Sequence, residues 1–455
     1  MAYAFDNCLA MDHSGIAGHG GVVQLVPDGL DYFTAPEVDG TLVKFVELTY
    51  KPRNPVTDEG PIYVEIGGKD FPMHTLMSSA RCEGCISVTK NNNEKLADNE
   101  QVSIVNTFPH ALWEEIKTLI NGRQINSHTR FYPYKAFFMT MLSYTSTWKS
   151  NNAVADYFFK DDYAAGTAVE IHDGALTGGG VVKRMKAIEK SNKFYFSFFP
   201  FVDIFSSDRY LPPKTSLGLE FFRSRDPFPL LAGAGNNTNY KINLHDFKIK
   251  IRHVTPDPKL DLAMEKKFLS SDSHLPFHRT TLKTYQMHSG KIDLSIPNLF
   301  TGNLPRHVLV AMVNNSAATG QLKHNPFVFH HYGVDNYAMI ENGMVYPSEG
   351  VKIDVPGLDI VSAYKFFLDN IGVSHSDTEI GVDINDYFQG SFVMAFDMTP
   401  DLCNGAHRHA PRSGVMELKL YLKTALEEPV TILVLGTYDT DLGISNETVK
   451  LDYIL

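Results

Sequence analysis

Histidines in the C-terminal third of the chain are the first residues whose type and spacing could do chemistry. Two of them, His407 and His409, are one residue apart, so on a strand both side chains would point the same way and could bind a metal. A third ligand at a fixed spacing is missing, and the surrounding GAHRHAPR is typical of a loop. The sequence therefore predicts loop or interface histidines and no metal site. The same interpretation applies to three further histidines: His324, His330 and His331.

Aspartates recur beside the aromatic segments and could act as catalytic acids. They are Asp203, Asp208, Asp397 and Asp401. A glycosidase needs two facing carboxylates about 5 to 10 Å apart, whereas these residues stand where strands are predicted to end, which favours turn capping. The sequence also lacks a Gly-x-Ser-x-Gly motif for a nucleophilic serine. We therefore predict no catalytic residues and no enzyme activity.

The cysteines are few and give no framework. They are Cys8, Cys82, Cys85 and Cys403, too few for a disulfide scaffold in a chain of 455 residues. Cys82 and Cys85 form one C-x-x-C pair, and a single pair cannot complete a tetrahedral zinc site. We expect ordinary reduced thiols, no bound metal and no cofactor.

Composition limits the class of protein. The chain is 43% hydrophobic and 20% charged, with a formal net charge of −11, which fits a soluble globular protein of about two to four domains. The acidic balance excludes a general attraction to nucleic acid or anionic membranes. No run approaches the roughly 18 to 20 apolar residues of a membrane span, and the N-terminus lacks the pattern of a secretory signal. We expect a protein made in a reducing cell interior.

Short strands are the elements that must position these residues. The stretch from Phe194 to Leu230 reads as an aromatic strand, a Pro-Pro turn and an alternating strand. In the alternating strand, Leu217, Leu219 and Phe221 share one face. The later segment NYKINLHDFKIKIRHV changes phase in mid-run, which predicts a β-bulge near His245-Asp246.

Two hairpins and two helices are predicted around these strands. Asn121-Gly122 and Asn342-Gly343 each lie between two apolar runs, and Asn-Gly tolerates the positive φ angles of a tight hairpin turn. Each hairpin is followed by a segment with helical spacing. In YKAFFMTMLSY the apolar residues from Tyr134 to Leu142 form one stripe. VSAYKFFLDNI is the second short helix.

These elements recur in the same order in both halves of the chain. Asn121-Gly122 matches Asn342-Gly343, Tyr134-Lys135 matches Tyr364-Lys365, Ser197-Phe198 with Asp203 matches Ser391-Phe392 with Asp397, and the alternating strand at Leu217 matches that at Leu418. There are 63 residues from Tyr134 to Ser197 but 27 from Tyr364 to Ser391, so the first half carries an extra 36. The repeat predicts an all-β fold of two stacked β-sandwiches of jelly-roll type, with short helices in the inter-strand loops.

The predicted domains follow from this repeat. Residues 1–35 are expected to form an N-terminal arm, residues 36–254 the first jelly roll, residues 255–282 a linker and residues 283–455 the second jelly roll. A long loop, about 145–193, is inserted in the first. Its Gly178-Gly179-Gly180 run lacks the GK[ST] and the strand–loop–helix context of a phosphate-binding loop, which favours a surface loop.

Three long segments and the first predicted helix resemble a known family. DRYLPPKTSLGLEFFRSRDPF from Asp208, IPNLFTGNLPRHVLVAMVNNSAATGQLKHNPFVFHHYGV from Ile296, AFDMTPDL from Ala395 and YKAFFMTMLSY are similar to the double-jelly-roll major capsid proteins of Polinton/Maverick elements and adintoviruses. The resemblance covers most of the chain from about residue 40. The chain is short for this fold and has little room for the loop towers of adenoviral hexons.

The resemblance implies a structural role in a virion. Three subunits would form a pseudo-hexagonal capsomer, a homotrimer, and capsomers would tile an icosahedral shell around double-stranded DNA. The implied partners are neighbouring capsomers, a single-jelly-roll penton and minor capsid proteins, with no sequence-specific binding of nucleic acid. The protein would be made inside the host cell, with the nucleus as one place of assembly.

A second interpretation stays open from the residues alone, namely a carbohydrate-binding or carbohydrate-active tandem β-sandwich. The mass in solution separates the two, because the capsid interpretation predicts a trimer and the other a monomer that binds glycans. A cluster of basic residues also bears on assembly, since we expect it to pair with acidic residues of a neighbouring subunit rather than with DNA. The cluster consists of Arg209, Lys214, Arg223 and Arg225.

Overall fold

The computed structural model describes most of the chain. It covers residues 40–56, 60–98, 100–126, 130–161, 176, 178–233, 239–354, 360–402, 408–445 and 449–453. The predicted N-terminal arm, most of the 162–177 part of the inserted loop, and Cys8, Cys403 and His407 lie outside the described residues.

The first half contains ten strands and five helices. The strands are β1 Leu42–Tyr50, β2 Ile62–Gly67, β3 His74–Lys90, β4 Val102–Ile104, β5 Trp113–Ile120, β6 Arg123–Gln124, β7 Phe194–Phe198, β8 Ser216–Arg223, β9 Leu230–Ala232 and β10 Tyr240–Pro256. The helices are α1 Phe108–Ala111, α2 Tyr132–Leu142, α3 Ser146–Asn151, α4 Gly179–Ile188 and α5 Pro258–Phe268, and short 3-10 helices lie at Ala153–Asp156, Glu189–Ser191 and Asp203–Ser206.

The second half repeats the plan with fewer insertions. Its strands are β11 Ser273–Met287, β12 Asp293–Asn303, β13 His307–Asn314, β14 Val334–Glu341, β15 Met344–Lys352, β16 Val393–Asp397, β17 Ser413–Leu422, β18 Val430–Ile444 and β19 Val449–Tyr453. Its helices are α6 Asn315–Ala318, α7 Ile360–Asn370 and α8 Ile384–Gln389.

The strand orders of the two halves are equivalent. The first half pairs its strands in the orders β1-β10-β3-β7 and β2-β8-β5-β6, and the second in the orders β11-β18-β13-β16 and β12-β17-β14-β15. Strand for strand, β1 corresponds to β11, β8 to β17 and β10 to β18. Two antiparallel four-stranded sheets in this order make a jelly roll, so the predicted tandem jelly-roll fold is confirmed.

The predicted turns and the bulge are present. Asn121 and Gly122 have φ angles of 50° and 80°, and Asn342 and Gly343 have 49° and 86°, the left-handed conformation that a tight hairpin requires. The pairing of β10 with β3 shifts register between Leu244 and Asp246, where the change of phase predicted a bulge. Both predicted helices form, as α2 and α7.

The apolar faces predicted from alternation are buried in the barrels. Leu217, Leu219 and Phe221 of β8 are fully buried, and β8 lies between β2 and β5. In the second barrel, Leu418 and Leu420 of β17 are buried in the same way. Burial of such side chains contributes roughly 1.5 to 3 kcal/mol each, so these central strands stabilise each sandwich.

The segment predicted as a linker is more regular than its sequence indicated. Residues 258–268 form α5, an exposed helix that begins at Pro258 after its N-cap Asp257. Strand β11 then starts at Ser273 and pairs with β18 of the second barrel over its whole length. Its polar and histidine residues alternate with only a few apolar ones, which concealed the strand.

The inserted loop also contains regular structure. We expected an irregular surface segment, yet α3 and α4 lie within it. Gly179 and Gly180 belong to the first turn of α4, and Gly180 packs so closely on Phe159 and Lys160 that a Cβ would lie 2.6 Å from the carbonyl oxygen of Lys160. The glycines therefore allow a close backbone approach. Among the described residues, no helix is both long and apolar enough to span a bilayer.

A buried histidine in the first barrel predicts acid sensitivity. Hydroxyl groups contact both ring nitrogens of His253, Tyr50 Oη at 2.9 Å and Thr75 Oγ1 at 3.0 Å. Burial lowers the pKa of His253 to about 4, below the roughly 6.5 of an exposed histidine. The unfolded chain therefore binds a proton first, and stability that is complete above pH 6.5 falls as the pH drops towards 4.

We expect this histidine to contribute up to about 3 kcal/mol to the loss of stability between pH 7 and pH 4. The measurement is denaturant unfolding across that range for the wild type and for His253→Gln. The variant should lose less stability on acidification than the wild type does. An identical pH dependence of the two proteins would show that this residue does not titrate as described.

Candidate assembly surfaces

The histidines singled out from the sequence occupy separate places. His331 Nδ1 accepts a hydrogen bond from the Gly333 amide at 3.0 Å, and burial lowers the pKa of His331. His330 packs edge-on against Tyr332, and His409 pairs with Asp401 at 3.2 Å. Within the described ranges, the structure brings together no group of three or more His, Cys, Asp or Glu side chains suited to a metal ion.

The two aspartates matched by the repeat make different contacts. Asp397 accepts hydrogen bonds from the amide and hydroxyl of Thr399 at 2.8 and 2.7 Å, which is the turn capping that the sequence predicted. Asp203 forms an ion pair with Lys135. In the second barrel, Lys365 pairs with Asp369 on its own helix at 2.9 Å instead, so the repeated Lys and Asp are not joined there.

The two described cysteines lie on opposite faces of one strand. Cys82 and Cys85 belong to β3, and both are buried and free. Their spacing of three residues puts their side chains on opposite sides of the sheet. They are therefore placed wrongly to bind one metal ion together. Burial raises the pKa of the Cys82 thiol well above its usual value, which makes that thiol unreactive.

Three of the four basic residues near the Pro-Pro turn have partners in their own chain. Arg209 donates to the carbonyl of His274 at 2.6 Å, Lys214 lies 3.2 Å from Glu265, and Arg223 lies 3.4 Å from Asp226. Arg225 is exposed. The prediction that the whole cluster pairs with a neighbouring subunit therefore needs correction for these three residues.

Helix α2 joins the two barrels through aromatic contacts. One face, with Tyr132 and Ala136, packs in the core of the first barrel. The other face packs against the second barrel, where the ring of Phe137 stacks on Phe327 with centroids 4.7 Å apart. Aromatic pairs in such contact stabilise by roughly 0.5 to 1.5 kcal/mol beyond the area they bury.

A row of polar contacts continues this junction along β11. Asp203 accepts hydrogen bonds from the amide and hydroxyl of Thr280 at 3.1 and 2.8 Å. The amide of His278 donates to Ser206 Oγ at 3.3 Å. The 3-10 helix at Asp203–Ser206 thus lies along β11, the outermost strand in the order β11-β18-β13-β16, and satisfies backbone groups that a sheet edge leaves unpaired.

The inserted segment adds a buried charge pair to the junction. Arg184 of α4 is fully buried and donates to Asp161 at 2.6 Å and to the carbonyls of Ile104 and Phe159 at 3.0 and 2.9 Å. Asn325 of the second barrel reaches the other oxygen of Asp161 at 3.5 Å. Neither residue was singled out from the sequence, where one arginine in a polar segment gives no signal of burial.

Lys149 of α3 is a second buried cation between the barrels. Its ammonium donates to the carbonyls of Met141 and, in the second barrel, Ile380 at 2.5 and 2.6 Å. Burial lowers the pKa of Lys149 to about 8. These contacts show that the inserted segment ties one barrel to the other.

The cavities at the junction are small. One of about 40 Å³ lies between Lys135, Asp203 and Thr280, and another of about 30 Å³ lies near Arg306 and His409. Such volumes hold about one to three water molecules. Neither cavity could enclose a sugar ring.

Solved structures share this fold over nearly the whole chain. A cryo-EM structure of the Sputnik virophage has a TM-score of 0.63 and 12% identity, covering 98% of this chain and 95% of that chain. The mavirus major capsid protein has a TM-score of 0.53 and 12% identity with 97% of both chains covered, and the PBCV-1 virus capsid has 0.52 and 11% with 93% and 99% covered. No protein-family model matches the sequence, and no curated protein does.

Proposed function

We propose that this chain is a major capsid protein that self-assembles, with no catalytic step, into the shell of a virion. The observation that carries the proposal is the pair of barrels with equivalent strand orders in one chain. Full-length likeness to the solved mavirus major capsid protein supports it. Two similar barrels present two similar sides, which is useful when copies surround a common axis.

The assembly unit in this proposal is a homotrimer. Three chains with two barrels each give six similar sides, so the trimer is pseudo-hexagonal and can tile an icosahedral shell with its neighbours. The contents of the shell would be double-stranded DNA. A net charge of −11 disfavours contact with the genome over a broad surface, so a separate basic protein would condense the DNA.

The finer placement rests on the sequence resemblance. The segments from Asp208, Ile296 and Ala395 support a capsid protein of the Polinton/Maverick and adintovirus kind. Its partners would then be neighbouring capsomers, a single-jelly-roll penton and minor capsid proteins. The protein would reside in the virion, with assembly in the host nucleus.

The mass of the purified protein in solution tests the proposal. We expect three times 50.9 kDa, or about 153 kDa, by light scattering coupled to size-exclusion chromatography. A monomer at all accessible concentrations would contradict the proposal. A monomer that also binds immobilised glycans would instead support the carbohydrate-binding interpretation.

A further inference from the structure

Two equivalent edge strands of the barrels differ in what covers them. Strand β1 ends the sheet β1-β10-β3-β7, and β11 stands at the same place in β11-β18-β13-β16. The edge of β11 is covered within the chain by the 3-10 helix Asp203–Ser206. In the part of the chain that the structure describes, nothing pairs with the outer edge of β1.

Strand β1 exposes apolar side chains beside this edge. Val43 is 65% and Phe45 is 66% exposed. Arg252 of β10 lies over the Phe45 ring at 5.4 Å, and Lys44 is exposed beside it. An uncovered strand edge with exposed apolar residues is a template for another chain.

The elements that cover β11 have exposed counterparts in the second barrel. Helix α2 is buried on both sides, whereas its counterpart α7 is buried on one side and exposes Val361, 61% accessible, on the other. The 3-10 helix at Asp203–Ser206 follows β7. The segment after β16, Met398–Leu402, takes its place in the second barrel and leaves Leu402 53% exposed.

We propose that the β1 edge of one copy is covered by α7 and Met398–Leu402 of a second copy. The contact between chains then repeats the contact within the chain, and the occupant of the β1 edge is another molecule of the same protein. This inference rests on the proposed trimer and names the surfaces that hold it. Lys44 and Arg252 on one side and Asp401 on the other, 44% exposed, give the two surfaces opposite charge.

The contact is heterologous, because it joins different surfaces of the two copies. Repetition of such a contact around an axis closes a ring. The outer face of α7 carries Lys365 and Asp369 where α2 carries aromatic residues. The contact between chains is therefore more polar than the junction within one chain.

The test is a set of charge substitutions read by mass in solution. Val43→Glu combined with Phe45→Glu places two carboxylates on the β1 edge, and Val361→Glu combined with Leu402→Asp does the same on the opposite surface. We expect each double variant to lose the trimer and run as a folded monomer, with the wild-type circular dichroism spectrum. As matched controls, Leu269→Glu at the end of α5 and Met344→Glu at a hairpin turn, both strongly exposed, should remain trimeric.

Cross-linking gives a second readout that needs no substitution. In a mixture of isotopically light and heavy copies, an amine-reactive reagent should join Lys44 of one copy to Lys365 of another. A trimeric wild type whose double variants stay trimeric would overturn the inference and leave the proposed function standing. A monomeric wild type would overturn both.

Discussion

Replacement of Arg184 by methionine is expected to lower the free energy of unfolding by about 3 to 5 kcal/mol. The guanidinium is fully buried, and it donates to Asp161 and to two backbone carbonyls. Methionine fills a similar volume but leaves a carboxylate, itself only 3% exposed, without its positive partner. The midpoint and slope of a urea unfolding curve measure the loss.

The matched control for this substitution lies on the same helix. Lys186 of α4 is exposed, and Lys186→Met should change stability by no more than about 0.5 kcal/mol. Removal of both charges, by Arg184→Met with Asp161→Leu, should cost less than Arg184→Met alone, because no unpaired charge then stays buried. If Arg184→Met and Lys186→Met behaved alike, the buried pair would not stabilise the junction.

Replacement of Phe137 by alanine is expected to cost about 3 to 5 kcal/mol. Its ring is 3% exposed and contacts Phe327 and Phe329 of the second barrel, with centroids 4.7 and 5.8 Å away. The substitution removes the largest contact of α2 with that barrel and leaves a cavity. We expect the single unfolding transition of the wild type to broaden or divide, because the barrels then unfold less cooperatively.

An exposed aromatic residue provides the comparison for Phe137. Tyr195 of β7 is strongly exposed, and Tyr195→Ala should leave the unfolding curve within about 0.5 kcal/mol of the wild type. A Phe137→Ala protein as stable and as cooperative as the wild type would mean that the two barrels fold independently of this junction.

Much of the fold could be predicted because local patterns and the repeat agree. Alternation located β8 and β17, the Asn-Gly pairs located the hairpins, and the order of these elements indicated two equivalent barrels. What could not be predicted is which surfaces meet. Helix α2 shows an apolar stripe typical of one buried face, yet the structure buries both faces, one in each barrel.

One signal of that junction was present in the sequence of the second barrel. Strand β16 has the continuous apolar run VMAF and is buried at every residue, whereas its counterpart β7 alternates between buried and exposed. A continuous apolar run indicates a strand covered on both faces. The difference between these equivalent strands shows which sheet lies inside the molecule and which faces outward.

The match of single residues in the repeat was less reliable than the match of elements. The faces of α2 and α7 that enter their own barrels contain Tyr132 with Ala136 and Ala363 with Phe367, which are 231 residues apart. The Tyr-Lys match used a separation of 230. This shift of one residue turns Lys365 away from the direction that Lys135 takes, so an ion pair present in the first barrel is replaced in the second.

Electron cryo-microscopy of the purified protein tests the central claim most directly. The account predicts particles in which three copies place six barrels in a closed ring, with β1 of each copy against the second barrel of the next. Single bodies of two barrels, with no ring at any concentration, would contradict it.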